Sequence, residues 1–184
     1  YRLVFTGENE MINDAMEQMM LMLVLAVVFM YLIMVAQFQS LKSPFIIMFT
    51  VPLAFTGGLF GLVFAGSEFS VIAMIGFVML SGIIVNNGIV LIDYTNQLID
   101  RGMSKTEALV EAGKTRMRPI LMTALTTVLG LSTMGAGVGM GADMVQPMAI
   151  VTIGGLLYGT LLTLFVIPCI YSLLIRRKKT VEVE

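Results

Sequence analysis

The chain has 184 residues, of which 58% are hydrophobic and only 12% charged, with a net charge of −1 and a mean hydropathy of +0.94. Soluble domains carry about 25% charged residues, so this composition excludes an ordinary soluble domain and points to an integral membrane protein. A single cysteine, Cys169, excludes an internal disulfide or a cysteine-rich metal site. The absence of histidine removes the commonest metal ligand and the usual neutral-pH proton carrier.

In chain order, residues 2–6 read as a short β-like run ended by Gly7, in the manner of the last strand of a preceding soluble domain. With Tyr1 rather than Met in first place, the sequence is read as part of a longer protein. Residues 1–15 are expected to be the end of an extracytoplasmic domain and a lead-in helix, with Met11, Ile12, Ala15 and Met16 at helical spacing. Five apolar runs follow, at about 19–38, 44–66, 69–94, 119–138 and 148–175. Each is near or above the ~20 residues a membrane-spanning helix needs. The expectation is an all-α integral membrane bundle of five spans over residues 16–175.

Pro44 and Pro119 suit a first helical turn, whereas Pro52 and Pro168 fall inside runs and should kink them. Gly57 with Gly61, and Gly155 with Gly159, offer smooth faces for close helix contact. Between the third and fourth runs, Gly102 can end a helix and Ser104-Lys-Thr-Glu107 is a capping box. A separate amphipathic helix is therefore expected over 104–116, with Leu109 and Ala112 on its apolar face. Lys105, Lys114 and Arg116 on it suit a position at lipid headgroups. Residues 135–141 form a glycine-rich loop without a phosphate-binding spacing, and 176–184 a basic tail.

Charge sets the orientation. Ten of the eleven Lys and Arg residues fall in the first loop, the 93–118 loop and the tail. The opposite loops hold Glu68 and Asp143 and no cation. By the positive-inside rule the tail and the 93–118 loop are cytoplasmic and the N-terminus is outside. An odd number of spans requires the two ends to lie on opposite sides, as they do.

Within the third run, Asn86 and Asn87 stand side by side at membrane depth. The helical repeat puts Gly82, Asn86, Ile89 and Asp93 on one stripe, around which neighbouring helices are expected to pack. The fourth run carries Thr123, Thr126, Thr127 and Ser132, and Asp93 and Arg116 stand near the cytoplasmic boundary. No nucleophile–base pair can be built without histidine, and no P-loop is present, so catalysis and nucleotide hydrolysis are excluded. The embedded polar groups read either as an ion or proton relay or as ordinary interhelical hydrogen bonding.

Asn86-Asn-Gly-Ile-Val-Leu-Ile-Asp-Tyr94, Glu107-Ala-Leu, Glu111-Ala-Gly and Thr115-Arg-Met-Arg-Pro-Ile-Leu-Met-Thr123 resemble the resistance–nodulation–division (RND) multidrug efflux pumps of the AcrB/AcrD/AcrF type. The likeness extends to Gln39-Ser-Leu-Lys-Ser-Pro-Phe45 and Pro147-Met-Ala-Ile150. It implies the last five helices of a twelve-helix transporter in the cytoplasmic (inner) membrane, driven by a proton gradient and needing no metal or cofactor. It implies a homotrimer exporting amphiphilic compounds, with a periplasmic adaptor and outer-membrane channel in a two-membrane cell, and no nucleic-acid partner. By motif, Asn86, Asn87, Arg116 and Thr123 fall on the proton relay, with Gly82, Asp93, Thr126 and Thr127 supporting it. Asn86 occupies a position where the best-known members carry lysine, so an uncharged amide replaces a titratable cation. The alternatives are a structural membrane anchor, or an RND exporter of lipids, protein or metal ions. The orientation is open to test: a cysteine placed at Ser67 or Ala142 should label from outside the cell, and one at Lys105 only after permeabilisation.

Overall fold

The computed structural model describes residues 6–139 and 141–174, and they form six helices and no strand. These are α1 (Thr6–Phe38), α2 (Lys42–Met48), α3 (Thr50–Ala65), α4 (Val71–Asp100), α5 (Lys105–Gly135) and α6 (Ala142–Leu174). The expected strand lies outside the described residues except for Thr6, which opens α1. The basic tail also lies outside them.

Several boundaries differ from expectation, each for a local reason. The lead-in helix and first span are one helix, α1, because nothing between Glu10 and Met20 breaks it. The second run is split at Phe49. Pro52 has no N–H for the Met48 carbonyl four residues back, and its ring crowds that carbonyl. At Pro168, by contrast, α6 continues without a break. The expected cytoplasmic helix and fourth span are joined as α5, with Pro119 inside it. Ser104 caps α5 as expected: its hydroxyl accepts from the Glu107 N–H at 3.4 Å and donates to the Glu107 carboxylate at 2.7 Å. α4 ends at Gly102, whose φ of +94° is the left-handed turn that lets Met103 N–H reach back to the Leu98 carbonyl.

Among the described residues, four segments are by length and composition apolar enough to cross a membrane, one fewer than the five expected runs: Glu10–Phe38, Ser43–Ala65, Val71–Asp100 and Ala142–Ser172. α5 is not among them. Its second half interleaves Thr123, Thr126, Thr127, Ser132 and Thr133 with apolar residues, and its first half is charged. It still runs the length of the bundle. Ala108, Ala112 and Ile120 join one core cluster with Ile92 and Ile167, and Ala124 joins the other with Ala73 and Val151.

Those two clusters give the direction of each helix. α1, α4 and α6 run from the second cluster to the first; α3 and α5 run back. α6 sits among α3, α4 and α5. It packs most extensively against α3 among the described residues, and the expected glycine faces take part in that contact. A Cβ on Gly154 would stand 2.9 Å from the Gly57 carbonyl oxygen and 3.0 Å from the Gly61 Cα. Gly155 and Gly159 face both neighbours: Leu80 and Ile84 of α4 fill the space beside them, and Ala54 of α3 lies against them, its carbonyl oxygen 3.0 Å from where a Gly155 Cβ would stand. Where α3 meets α6 the glycines carry no side chain, so these two helices approach until main chains touch. α4 and α6 are also tied near their ends, where the Tyr171 hydroxyl donates to Asn96 Oδ1 at 2.6 Å. α1 is peripheral; Met34 is its one buried residue among those described.

Ala142 is buried at the start of α6, so Ser67, half-exposed, is the better outer labelling position. The α3–α6 contact predicts that Gly154→Ala lowers the stability of the full-length protein by about 1–3 kcal/mol, the usual cost of overpacking. Unfolding of the purified protein in detergent measures it; an unchanged midpoint would show that the backbones are not in contact.

Candidate functional site

α4 is two-faced. Leu80, Ser81, Ile84, Val85, Asn87, Gly88, Leu91 and Thr95 are buried against the other helices. Gly82, Asn86 and Asp93 are exposed, and Ile89 is half-buried. Nothing lies within 4 Å of where a Gly82 Cβ would stand. The expectation that neighbouring helices pack around the Gly82–Asn86–Asp93 stripe therefore does not hold within this chain. The cause is the register fixed by α6, which takes Leu80 and Ile84 into its glycine notches and turns the stripe away.

The adjacent amides consequently point to different sides, since neighbouring helical residues are about 100° apart. Asn86 is exposed at the middle of α4. Asn87 is 6% exposed, and its Nδ2 is buried with no hydrogen-bond partner among the described residues. Asp93 accepts from Gln97 Nε2 at 2.8 Å.

The α5 hydroxyls bond to their own helix. Thr123 donates to the Ile120 carbonyl at 2.9 Å, Thr126 to Met122 at 2.7 Å and Thr127 to Thr123 at 2.8 Å. Such bonds satisfy the hydroxyl without a second helix. Thr123 and Thr126 are exposed and Thr127 half-buried.

Arg116 does not lie out at the surface as the headgroup reading had it. It is half-buried, and its guanidinium carbon sits 4.6 Å from the centre of the Tyr94 ring on α4. Its Nε is buried without a hydrogen-bond partner among the described residues. Sequence reading missed Tyr94, and also the Asn96–Tyr171 bond. The signal for the first was present: Ala108, Ala112, Ile120 and Ala124 are buried at multiples of four, and Arg116 is the position between them. Among the described residues no hydrogen bond or ion pair joins Asn86, Asn87, Arg116 and Thr123 to one another.

Comparison with known proteins decides the family. A family model described as AcrB/AcrD/AcrF matches residues 1–175. The chain belongs to the AcrB/AcrD/AcrF family. Its members are RND efflux transporters in membranes, not enzymes. This AcrB/AcrD/AcrF chain is similar to the swarming motility protein SwrC of Bacillus subtilis (strain 168), at 40% identity over 94% of the chain and 16% of that protein. It is 44% identical to the nickel-cobalt-cadmium resistance protein NccA of Alcaligenes xylosoxydans xylosoxydans, over 72% of the chain and 12% of that protein. It is 34% identical to the cobalt-zinc-cadmium resistance protein CzcA of Cupriavidus metallidurans, over 99% of the chain and 17% of that protein. An X-ray structure of a heavy metal efflux pump matches with a TM-score of 0.78 and 33% identity, covering 90% of this chain and 16% of that one. The chain thus spans about a sixth of the length of SwrC and CzcA.

Asn87 gives a test of the inner face. Replacing an unpartnered buried donor by an apolar side chain of like size removes a desolvation penalty, so Asn87→Leu should leave stability unchanged or raise it by about 1 kcal/mol. A drop in the unfolding midpoint of the full-length protein would mean that the amide holds a partner.

Proposed function

We propose that this chain is one wall of the energy-coupling membrane domain of a proton-driven RND exporter. The observation that carries the reading is the outward face of α4. Gly82, Asn86 and Asp93 turn away from everything this chain packs against, and Asn86 lies at mid-helix. An amide at that depth is costly without a partner. The partner would come from the remaining helices of a protein of which this chain is a part.

In this reading Asn86 meets an acidic group of those helices. An amide has no charge to switch, so it acts by re-forming hydrogen bonds as that group gains and loses its proton. Arg116 supplies the fixed positive charge, since a guanidinium stays protonated. Asn87 supports the site from the buried side, and Thr123 from α5. In this reading the tail and the α4–α5 turn face the cytoplasm, as the positive-inside rule favours, and the motif resemblance implies a homotrimer, with an adaptor and outer-membrane channel in a two-membrane cell.

The names of the relatives bear on cargo. Resistance proteins for nickel, cobalt, zinc and cadmium favour a divalent metal cation over the amphiphilic compounds implied by the motifs. Among the described residues no group of three or more His, Cys, Asp or Glu could hold a metal ion, so selection would occur elsewhere in the protein. The amphiphile remains the second reading, because SwrC is named for swarming and not for a metal.

The full-length protein, expressed in a host lacking its own exporters, should protect growth against Co²⁺, Zn²⁺ or Cd²⁺, and a protonophore should abolish the protection. Protection against cationic dyes alone would select the amphiphile. Asn86→Leu should reduce export roughly tenfold or more at normal membrane levels, as expected for loss of a hydrogen bond to a charged group. Asn86→Lys should keep transport with a shifted pH optimum. Normal export and an unchanged pH profile in Asn86→Leu would reduce Asn86 to a packing residue and sink the relay.

A further inference from the structure

We infer that Tyr94 is the positioning residue for Arg116, holding the guanidinium in place by its ring while leaving its charge and N–H donors free for an anionic partner. The inference rests on the reading of Arg116 as part of the relay.

Three observations lead to it. Arg116 occupies the inward stripe of α5 between buried Ala112 and Ile120, a place where a cation needs a reason to stay. Its guanidinium carbon lies 4.6 Å from the Tyr94 ring centre, well within the ~6 Å reach of a cation–π contact. Among the described residues its buried Nε has no hydrogen-bond partner and no carboxylate pairs with the guanidinium. Asp93, beside Tyr94 in sequence, is exposed and bonded to Gln97 instead.

A carboxylate in place of the ring would neutralise the cation and occupy its donors. The face of an aromatic ring attracts the charge without neutralising it and offers the guanidinium N–H groups no lone pair. Tyr94 is itself fixed by packing against the core cluster that contains Leu91 and Ile120. The cation is thus held in position and remains available to a carboxylate that changes its protonation during transport.

The test uses the full-length protein with Co²⁺ and ethidium as probes. Tyr94→Leu should lower the maximal export rate by roughly three- to thirty-fold, the span of a cation–π contact, with half-saturation for the probe unchanged. Tyr94→Phe, which keeps the ring, should retain most of the rate. Replacing Tyr94 by 3,4,5-trifluorophenylalanine keeps the shape but withdraws the ring's charge, and should behave like Tyr94→Leu; this arm holds even where Tyr94→Leu fails to fold. Equal rates for the phenylalanine and trifluorophenylalanine proteins would overturn the proposal. Arg116→Met separates the two readings. Normal export in Arg116→Met removes the relay role, and the positioning role with it. Loss of export in Arg116→Met beside normal export in Tyr94→Leu removes only the positioning role. Should the wild type export neither probe, the transport reading fails, and a double-mutant cycle of Tyr94→Leu and Arg116→Met on unfolding decides the contact. Additive shifts overturn it; coupling supports it.

Discussion

Backbone meets backbone where α3 crosses α6. Gly154 of α6 lies against the Gly57 carbonyl and the Gly61 backbone of α3, while Gly57 leaves room for the Tyr158 side chain, so the two main chains approach to van der Waals contact. In a membrane the hydrophobic effect does not drive helices together, so close packing and hydrogen bonds must. Gly155 and Gly159, which also lie against Ala54 of α3, accept Leu80 and Ile84 of α4. That fixes α4 in rotation as well as in place. Once Leu80 and Ile84 point at α6, Asn87 must point inward and Asn86 outward, because the helical repeat allows nothing else.

The polar groups divide accordingly. Those facing inward are few, and each is held by its own helix or by one specific partner. Thr95 and Thr163 donate to carbonyls four residues back, and Asn96 accepts from Tyr171. Asn87 Nδ2, Thr160 Oγ1 and Arg116 Nε are the exceptions, buried with no hydrogen-bond partner among the described residues. Those facing outward, Asn86 and Asp93 above all, stand where this chain offers no cover.

α5 differs in kind from its neighbours. It is too polar to count as a spanning helix by composition, yet it packs along α4 and α6 through small residues at four-residue spacing. The one cation in that inward row, Arg116, lies over an aromatic ring, and among the described residues no acid pairs with it.

The sequence by itself determined the membrane class, the alternating course of the helices, the glycine contact faces, the Ser104 cap and the family, because each is written in composition, short spacing or motif. Pro52 and Gly102 were equally legible, since a missing donor and a left-handed turn act within one or two turns of chain. What only the tertiary structure decided was rotation and partnership. A 3.6-residue period shows that Gly82, Asn86 and Asp93 share a face, but an apolar helix has no polar side to reveal which face is covered. Leu80 and Ile84 settle that by fitting Gly155 and Gly159, more than seventy residues away in sequence. The fusion of 104–116 with 119–138 was hidden for a related reason: Pro119 signals a helix start locally, and only packing of α5 against α4 and α6 carries the helix through it. Arg116 over Tyr94 belongs to the same class, a contact between two helices whose registers no local pattern relates.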